Sequence, residues 1–242
     1  MQASRGHRQR EPTAGGISVK SSGVSRRWTK ISSAGELVAR GRARVQARRA
    51  KVDTVGARVR FGTGVRAELL ARGRARKHAR QPGIEVGSRV RFGRGVRCDA
   101  PPGARIVIGD DVEIADWTIL EAMPGGLLSI ADGAIVARGC VIAAERHVSI
   151  GRDSGVGEWS SVRDHDHDTA YPPKSQRTLQ SDVHIGDRVW IGARVTVVRG
   201  GSIGDDAVIG AHAVVNRAVP AACLAVGLPA QVIRRDLRPP PD

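Results

Sequence analysis

The sequence predicts an all-β fold, a parallel β-helix of about six 18-residue coils. Three observations predict it: an apolar residue at every sixth position, a small residue directly after most of these, and an aromatic content of only 3%, which leaves Val, Ile and Ala to build the core. The rows read Val86, Phe92, Cys98; Ile108, Ile114, Leu120; Ile130, Val136, Ile142; and Ile150, Val156, Val162. After a gap come Ile185, Ile191, Val197, Ile203, Ile209 and Val215 without interruption.

A period of six matches neither the 3.6 of a helix nor the 2 of one alternating strand. A short strand with one inward aliphatic, followed by a tight turn and repeated three times, closes a triangular coil. The inward aliphatics of successive coils then stack into columns. Gly or Ala follows the inward residue in 13 of 18 cases, as in Val86-Gly87, Ile150-Gly151 and Ile185-Gly186, which marks corners where the chain is crowded. Rows separated by 10, 10, 8 and 23 residues instead of 6 mark loops extruded from corners. The reading gives a β-helix over 83–220 with its main loop at 163–184, then an exit segment and tail over 221–242.

The N-terminal third differs in kind. Residues 1–100 carry 25 Lys/Arg against 6 Asp/Glu, and residues 101–242 carry 14 against 18, so the overall +15 is an N-terminal property. Residues 1–50 are basic and poor in apolar residues, a composition expected to be poorly ordered. The stretch 55–66, VGARVRFGTGVR, nearly repeats as VGSRVRFGRGVR at 86–97, which suggests an irregular first coil within 51–82. A basic segment such as 1–80 could contact an anionic membrane or nucleic acid, although its arginines are not interleaved with aromatics. Three cysteines without CxxC spacing argue against a disulfide scaffold or a thiolate zinc site, and no apolar run has the length of a membrane span. The expected location is the cytoplasm, with membrane association open.

The 23-residue gap holds RDHDHDTAYPPKSQRTLQSD, in which two His and three Asp alternate. Histidine is the side chain whose ordinary pKa suits proton abstraction near neutrality, and an adjacent carboxylate can orient its ring. His167 and His165 are the candidate bases, with Asp164, Asp166 or Asp168 as the orienting group. The same alternation could hold zinc, with His147, His184 and His212 on other coils as further donors.

The run VHIGDRVWIGARVTVVRGGSIGDDAVIGAHAVVNRAVPAACLAVGLPAQVIR at 183–234 resembles the C-terminal signature of the hexapeptide-repeat acyltransferases. The maltose and galactoside acetyltransferases and the polysaccharide O-acetyltransferases are nearest in pattern. The resemblance covers about 86–242. It implies a left-handed coil, which periodicity alone does not give, and a homotrimer with its active site between neighbouring β-helices. It implies transfer of an acetyl group from acetyl-CoA to a hydroxyl of a saccharide or glycan precursor, without a metal. Counting from the last inward aliphatic, such relatives place their catalytic His five residues on, here His167; His165 is the second candidate.

By the same resemblance Trp190, Gly192 and Ala193 lie along the pantetheine arm, with Ala211 the matching contact one coil later. Arg217 and Arg234 face the CoA phosphates, as guanidinium groups suit. Ala193 stands where relatives often have Ser, and Arg217 where they often have Lys. Glu158 and Trp159, on the coil before His167, are candidates for acceptor contact. Hexapeptide-repeat carbonic anhydrases use three His ligands, but the His spacing here does not match theirs. The other rival reading is a β-helix binding or scaffold protein recruited through its basic N-terminus.

Overall fold

The computed structural model describes residues 65–237. The expectations for 1–64 and for 238–242 lie outside the described residues.

Among the described residues, three sheets of seven, eight and six strands form the faces of a solenoid, parallel throughout except for the last strand of the eight-stranded sheet. Within each sheet, neighbouring strands are mostly three apart in chain order, so the chain visits every face once per coil. On face I the inward residues Val86, Ile108, Ile130, Ile150, Ile185, Ile203 and Val219 pair in register. Face II aligns Phe92, Ile114, Val136, Val156, Ile191, Ile209 and Ala225. Face III aligns Cys98, Leu120, Ile142, Val162, Val197 and Val215. The columns predicted from the hexads are therefore the columns of the core, and all of these residues except Val86 are buried. Parallel pairing leaves each coil's backbone groups bonded to the coils above and below, so only the two ends of the solenoid need covering.

The corners explain the rest of the hexad. The third residue after the inward one has positive φ at both the I→II corner (Arg89, Asp111, Gly133, Asp153, Arg188, Asp206) and the II→III corner (Gly95, Trp117, Gly139, Trp159, Arg194, His212), between 53° and 69°. Most of these are not Gly, so the turn conformation is not what demands glycine. The small residue directly after the inward aliphatic has another cause. A Cβ on Gly151 would lie 2.4 Å from the Gly186 carbonyl, and one on Gly157 would lie 2.5 Å from Gly192. Successive coils approach too closely there for a larger side chain. Aspartates brace the same corner: Asp132 accepts the Asp110 amide at 2.9 Å and Asp205 accepts that of Asp187 at 2.9 Å.

The first end is closed by a helix, α1 (Val65–His78), where the near-repeat suggested an extra coil. For these residues that expectation is corrected. The segment Ala-Glu-Leu-Leu-Ala-Arg is rich in helix formers, and Ala71, Arg74, Ala75 and His78 recur at helical spacing on the covered face. Arg74 Nε donates to the Phe92 carbonyl at 2.7 Å, and the His78 ring packs 5.2 Å from that of Phe92. At the other end the β-structure continues past residue 220. Leu224–Val226 extends face II, and Gln231–Arg234 folds back antiparallel against it.

Candidate functional site

The 35-residue step from Ile150 to Ile185 extrudes a hairpin at the III→I corner of the fourth coil. Its strands, His165–His167 and Thr178–Gln180, pair antiparallel, with His165 opposite Gln180 and His167 opposite Thr178. The loop expected from the sequence is thus an ordered two-stranded projection. Asp166 on its other face pairs with Arg199 of the next coil at 2.9 Å, which fixes the direction in which the hairpin lies.

Asp164, at the root, is fully buried. Its Oδ1 accepts the Glu145 amide at 2.9 Å, and its Oδ2 accepts those of Arg146 and His147, both at 2.7 Å. His165 Nδ1 lies 2.9 Å from Oδ1. Burial pushes this carboxyl up, but the His165 contact and the three amides outweigh it and hold the group below the usual carboxylate range. Glu145, which the sequence reading missed, accepts from Thr178 Oγ1 at 2.6 Å; its other oxygen is buried without a hydrogen bond, 4.0 Å from His165 Nδ1. His165 is therefore packed into the root, its side chain 11% exposed. His167 projects from the same strand into solvent, with no hydrogen-bond partner among the described residues.

The other candidates occupy a different corner. Glu158 and Trp159, then Ala193, then Ala211, follow one another along the II→III corner of the fourth, fifth and sixth coils. A Cβ on Gly192 would lie 2.6 Å from the Ala211 amide, so this edge is backbone stacked on backbone. Trp190 stands on face II beside Gly155, 49% exposed. Arg234 lies on the same face, opposite Leu224. Arg217 is exposed at the III→I corner, the corner from which the hairpin springs.

Two groups result within one chain. Trp190, Gly192, Ala193, Ala211 and Arg234 share face II and its far corner with Glu158 and Trp159. The histidine hairpin and Arg217 share the III→I corner. Face III stands between them.

Trp117 was overlooked as well. Trp117 holds the same corner register as Trp159, three residues after an inward aliphatic, and both are exposed, at 60% and 55%. Each indole lies flat over a glycine of the preceding coil, Gly95 and Gly139 respectively. Counting three from Ile114 and from Val156 would have found the pair.

Among the described residues, no helix is long and apolar enough to cross a membrane.

Residues 182–217 match the family model described as bacterial transferase hexapeptide (six repeats). The chain is 37% identical over 137 residues to Rv3034c of Mycobacterium tuberculosis, provisionally assigned as an acetyltransferase, covering 55% of this chain and 45% of that protein. It is 35% identical over 126 residues to WbbJ of Escherichia coli, provisionally assigned as a lipopolysaccharide biosynthesis O-acetyl transferase, covering 48% of this chain and 64% of that one. The match thus spans less than two thirds of either relative. Among solved structures, a point mutant of AntD, an N-acyltransferase from Bacillus cereus in complex with dTDP and coenzyme A, superposes with a TM-score of 0.59 at 20% identity, over 67% of this chain and 89% of that one. That likeness speaks to the fold. Residues 182–217 thus carry the hexapeptide repeat of bacterial transferases, and the stacked hexads extend the same pattern back to Val86.

Proposed function

We propose that this protein transfers an acetyl group from acetyl-CoA to a hydroxyl of a saccharide or glycan precursor, with His167 as general base. The observation that carries the reading is the braced hairpin that holds a solvent-facing, unpartnered imidazole away from an otherwise flat prism. The relative assigned to lipopolysaccharide O-acetylation supports a hydroxyl acceptor, and the coenzyme A and dTDP bound to AntD fit a CoA donor and a sugar-nucleotide precursor.

In this mechanism the neutral His167 ring takes the acceptor's proton as its oxygen attacks the thioester carbonyl. The imidazolium then returns that proton to the departing CoA thiolate as the tetrahedral intermediate collapses. In this reading the Ala193 amide polarises the carbonyl, and the edge of Trp190, Gly192 and Ala211 receives the pantetheine arm. Arg217 and Arg234 are the phosphate contacts. The reaction needs no metal.

Face III separates the base from this edge in one chain, so a second copy must bring its edge to the hairpin. A homotrimer with sites between subunits meets that need, and Trp117 and Trp159 offer flat indoles for sugar stacking.

A second reading of the base has one observation in its favour. His165 is oriented by Asp164 at 2.9 Å, the arrangement of a base held by a carboxylate. Its burial argues against direct reach to an acceptor.

The test is release of free thiol from acetyl-CoA against a panel of sugars and sugar nucleotides, with light scattering on the same sample. Acceptor-dependent thiol release by a trimer is expected. A fully active monomer would overturn the shared site, and thiol release absent with every hydroxylated acceptor would overturn the reaction.

A further inference from the structure

We propose that His147, Asp182 and His184 form a binding site for one divalent transition-metal ion on face I, at the exit of the hairpin. The site is separate from the reacting groups and does not rest on the acyltransferase reading.

The register of face I creates it. Val148 pairs with Val183 and Ser149 with His184, so Asp182 lies beside His147 at the head of the same strand pair. One donor atom from each of the three residues lies within 4.8 Å of the others. The imidazoles meet edge to face, 5.2 Å between centroids and 82° between planes. Two imidazole nitrogens and a carboxylate oxygen suit Zn²⁺, Co²⁺ or Ni²⁺, whereas Ca²⁺ and Mg²⁺ want oxygen ligands throughout.

The surroundings hold the donors in place. Ser149 Oγ lies 2.8 Å from His184 Nδ1, which fixes that ring and leaves Nε2 as its free nitrogen. The His147 amide donates to the buried Asp164 at 2.7 Å, so the backbone carrying this ligand is tied down. Arg146 Nε pairs with Asp182 Oδ1 at 2.6 Å, which leaves Oδ2 as the oxygen for a metal. That pair involves a guanidinium exposed over 63% of its side chain and adds little that a metal must displace. Bonds of about 2.1 Å in a tetrahedral site set donors about 3.4 Å apart. Rotation of the half-buried His147 ring can close the remaining gap while Ser149 holds His184.

Isothermal titration of the full chain tests this, with no polyhistidine tag, after EDTA treatment and dialysis, and with ZnCl₂ as probe. One saturable site per chain is expected. His147→Ala and His184→Ala should each weaken it about tenfold or more, and Ser149→Ala, which removes only the support, about tenfold. His167→Ala, whose exposed ring is not packed into the hairpin root, should bind as the parent does. Visible d–d absorption on adding Co²⁺, lost in His184→Ala, gives a second readout independent of heat. No saturable Zn²⁺ binding by the parent chain overturns the site. So does binding that survives in both His147→Ala and His184→Ala, or binding abolished by His167→Ala.

Discussion

Asp164 Oδ1 lies 2.9 Å from His165 Nδ1, yet the same carboxylate also accepts three consecutive backbone amides. A residue read from the sequence as a possible orienting group therefore also holds together the root of the hairpin and the 145–147 turn.

Replacing Asp164 by Asn leaves a buried NH₂ facing amide donors and should cost about 3 kcal/mol at pH 7. The folded-state pKa of Asp164 is depressed, so its contribution is complete above the unfolded value of about 3.9 and fades as pH falls through the folded one. Urea melts of parent and Asp164→Asn at pH 7 and pH 3 check this. The difference should narrow at pH 3; an unchanged gap would mean the charge contributes nothing.

Gly139 underlies Trp159. A Cβ there would lie 2.3 Å from Cε3 of the indole, and the residue has φ +69°. Gly139→Ala should lower stability by about 1–2 kcal/mol and displace the ring. If Trp159 stacks on the acceptor, KM for the acceptor should rise while KM for acetyl-CoA holds. A rise in both alike would point to a general loss of structure.

The fold was legible because it repeats. Eighteen inward residues from Val86 to Val215 fall at hexad positions, and a residue that must face inward on every coil leaves a mark no loop erases. The hand of the coil was not in the periodicity and came only from resemblance. Helix α1 escaped because 55–66 so nearly copies 86–97, while what decides its state is contact with Phe92, invisible in a local comparison. The 163–184 insertion was read as a loop; its pairing as a hairpin, the burial of His165 beside Glu145 and the Asp166–Arg199 contact all involve residues distant in sequence. Cross-coil partners are a long-range fact. Trp117 was missed for the opposite reason, since its register was readable and only the inward column was counted.

Helix α1 closes the end of the solenoid, so truncation should respond to its boundary. Removing 1–50, which is poor in apolar residues, should leave the melting temperature nearly unchanged. Removing 1–82 takes away Ala71, Ala75 and Arg74, strips cover from Phe92 and should lower it clearly. Equal melting temperatures for the two truncations would show that the helix is no cap.

Arg217 lies at the III→I corner and Arg234 on face II, so the two proposed phosphate contacts can be tested one at a time. Arg217→Ala and Arg234→Ala should each raise KM for acetyl-CoA with kcat less affected, because the phosphates lie far from the reacting carbonyl. With a dephospho-CoA thioester, the variant lacking the 3′-phosphate contact should lose less than with the intact donor. Equal losses for both donors in both variants would remove that contact.

The two histidines make the sharpest test of mechanism. His167→Ala should lower kcat by about 10²–10⁴, the loss expected for a positioned general base, with KM for acetyl-CoA roughly constant. His165→Ala should cost less, since its ring is packed against Asp164 and Glu145. Some of its loss should appear as instability, because the Asp164 contact goes with the ring. EDTA should not alter kcat: the Zn²⁺ site proposed at His147, Asp182 and His184 includes neither hairpin histidine. If His165→Ala is inactive at full stability while His167→Ala turns over normally, the base is His165 and Asp164 is its orienting carboxylate. If EDTA abolishes turnover and zinc restores it, the reaction runs through a metal and His167 is not the base.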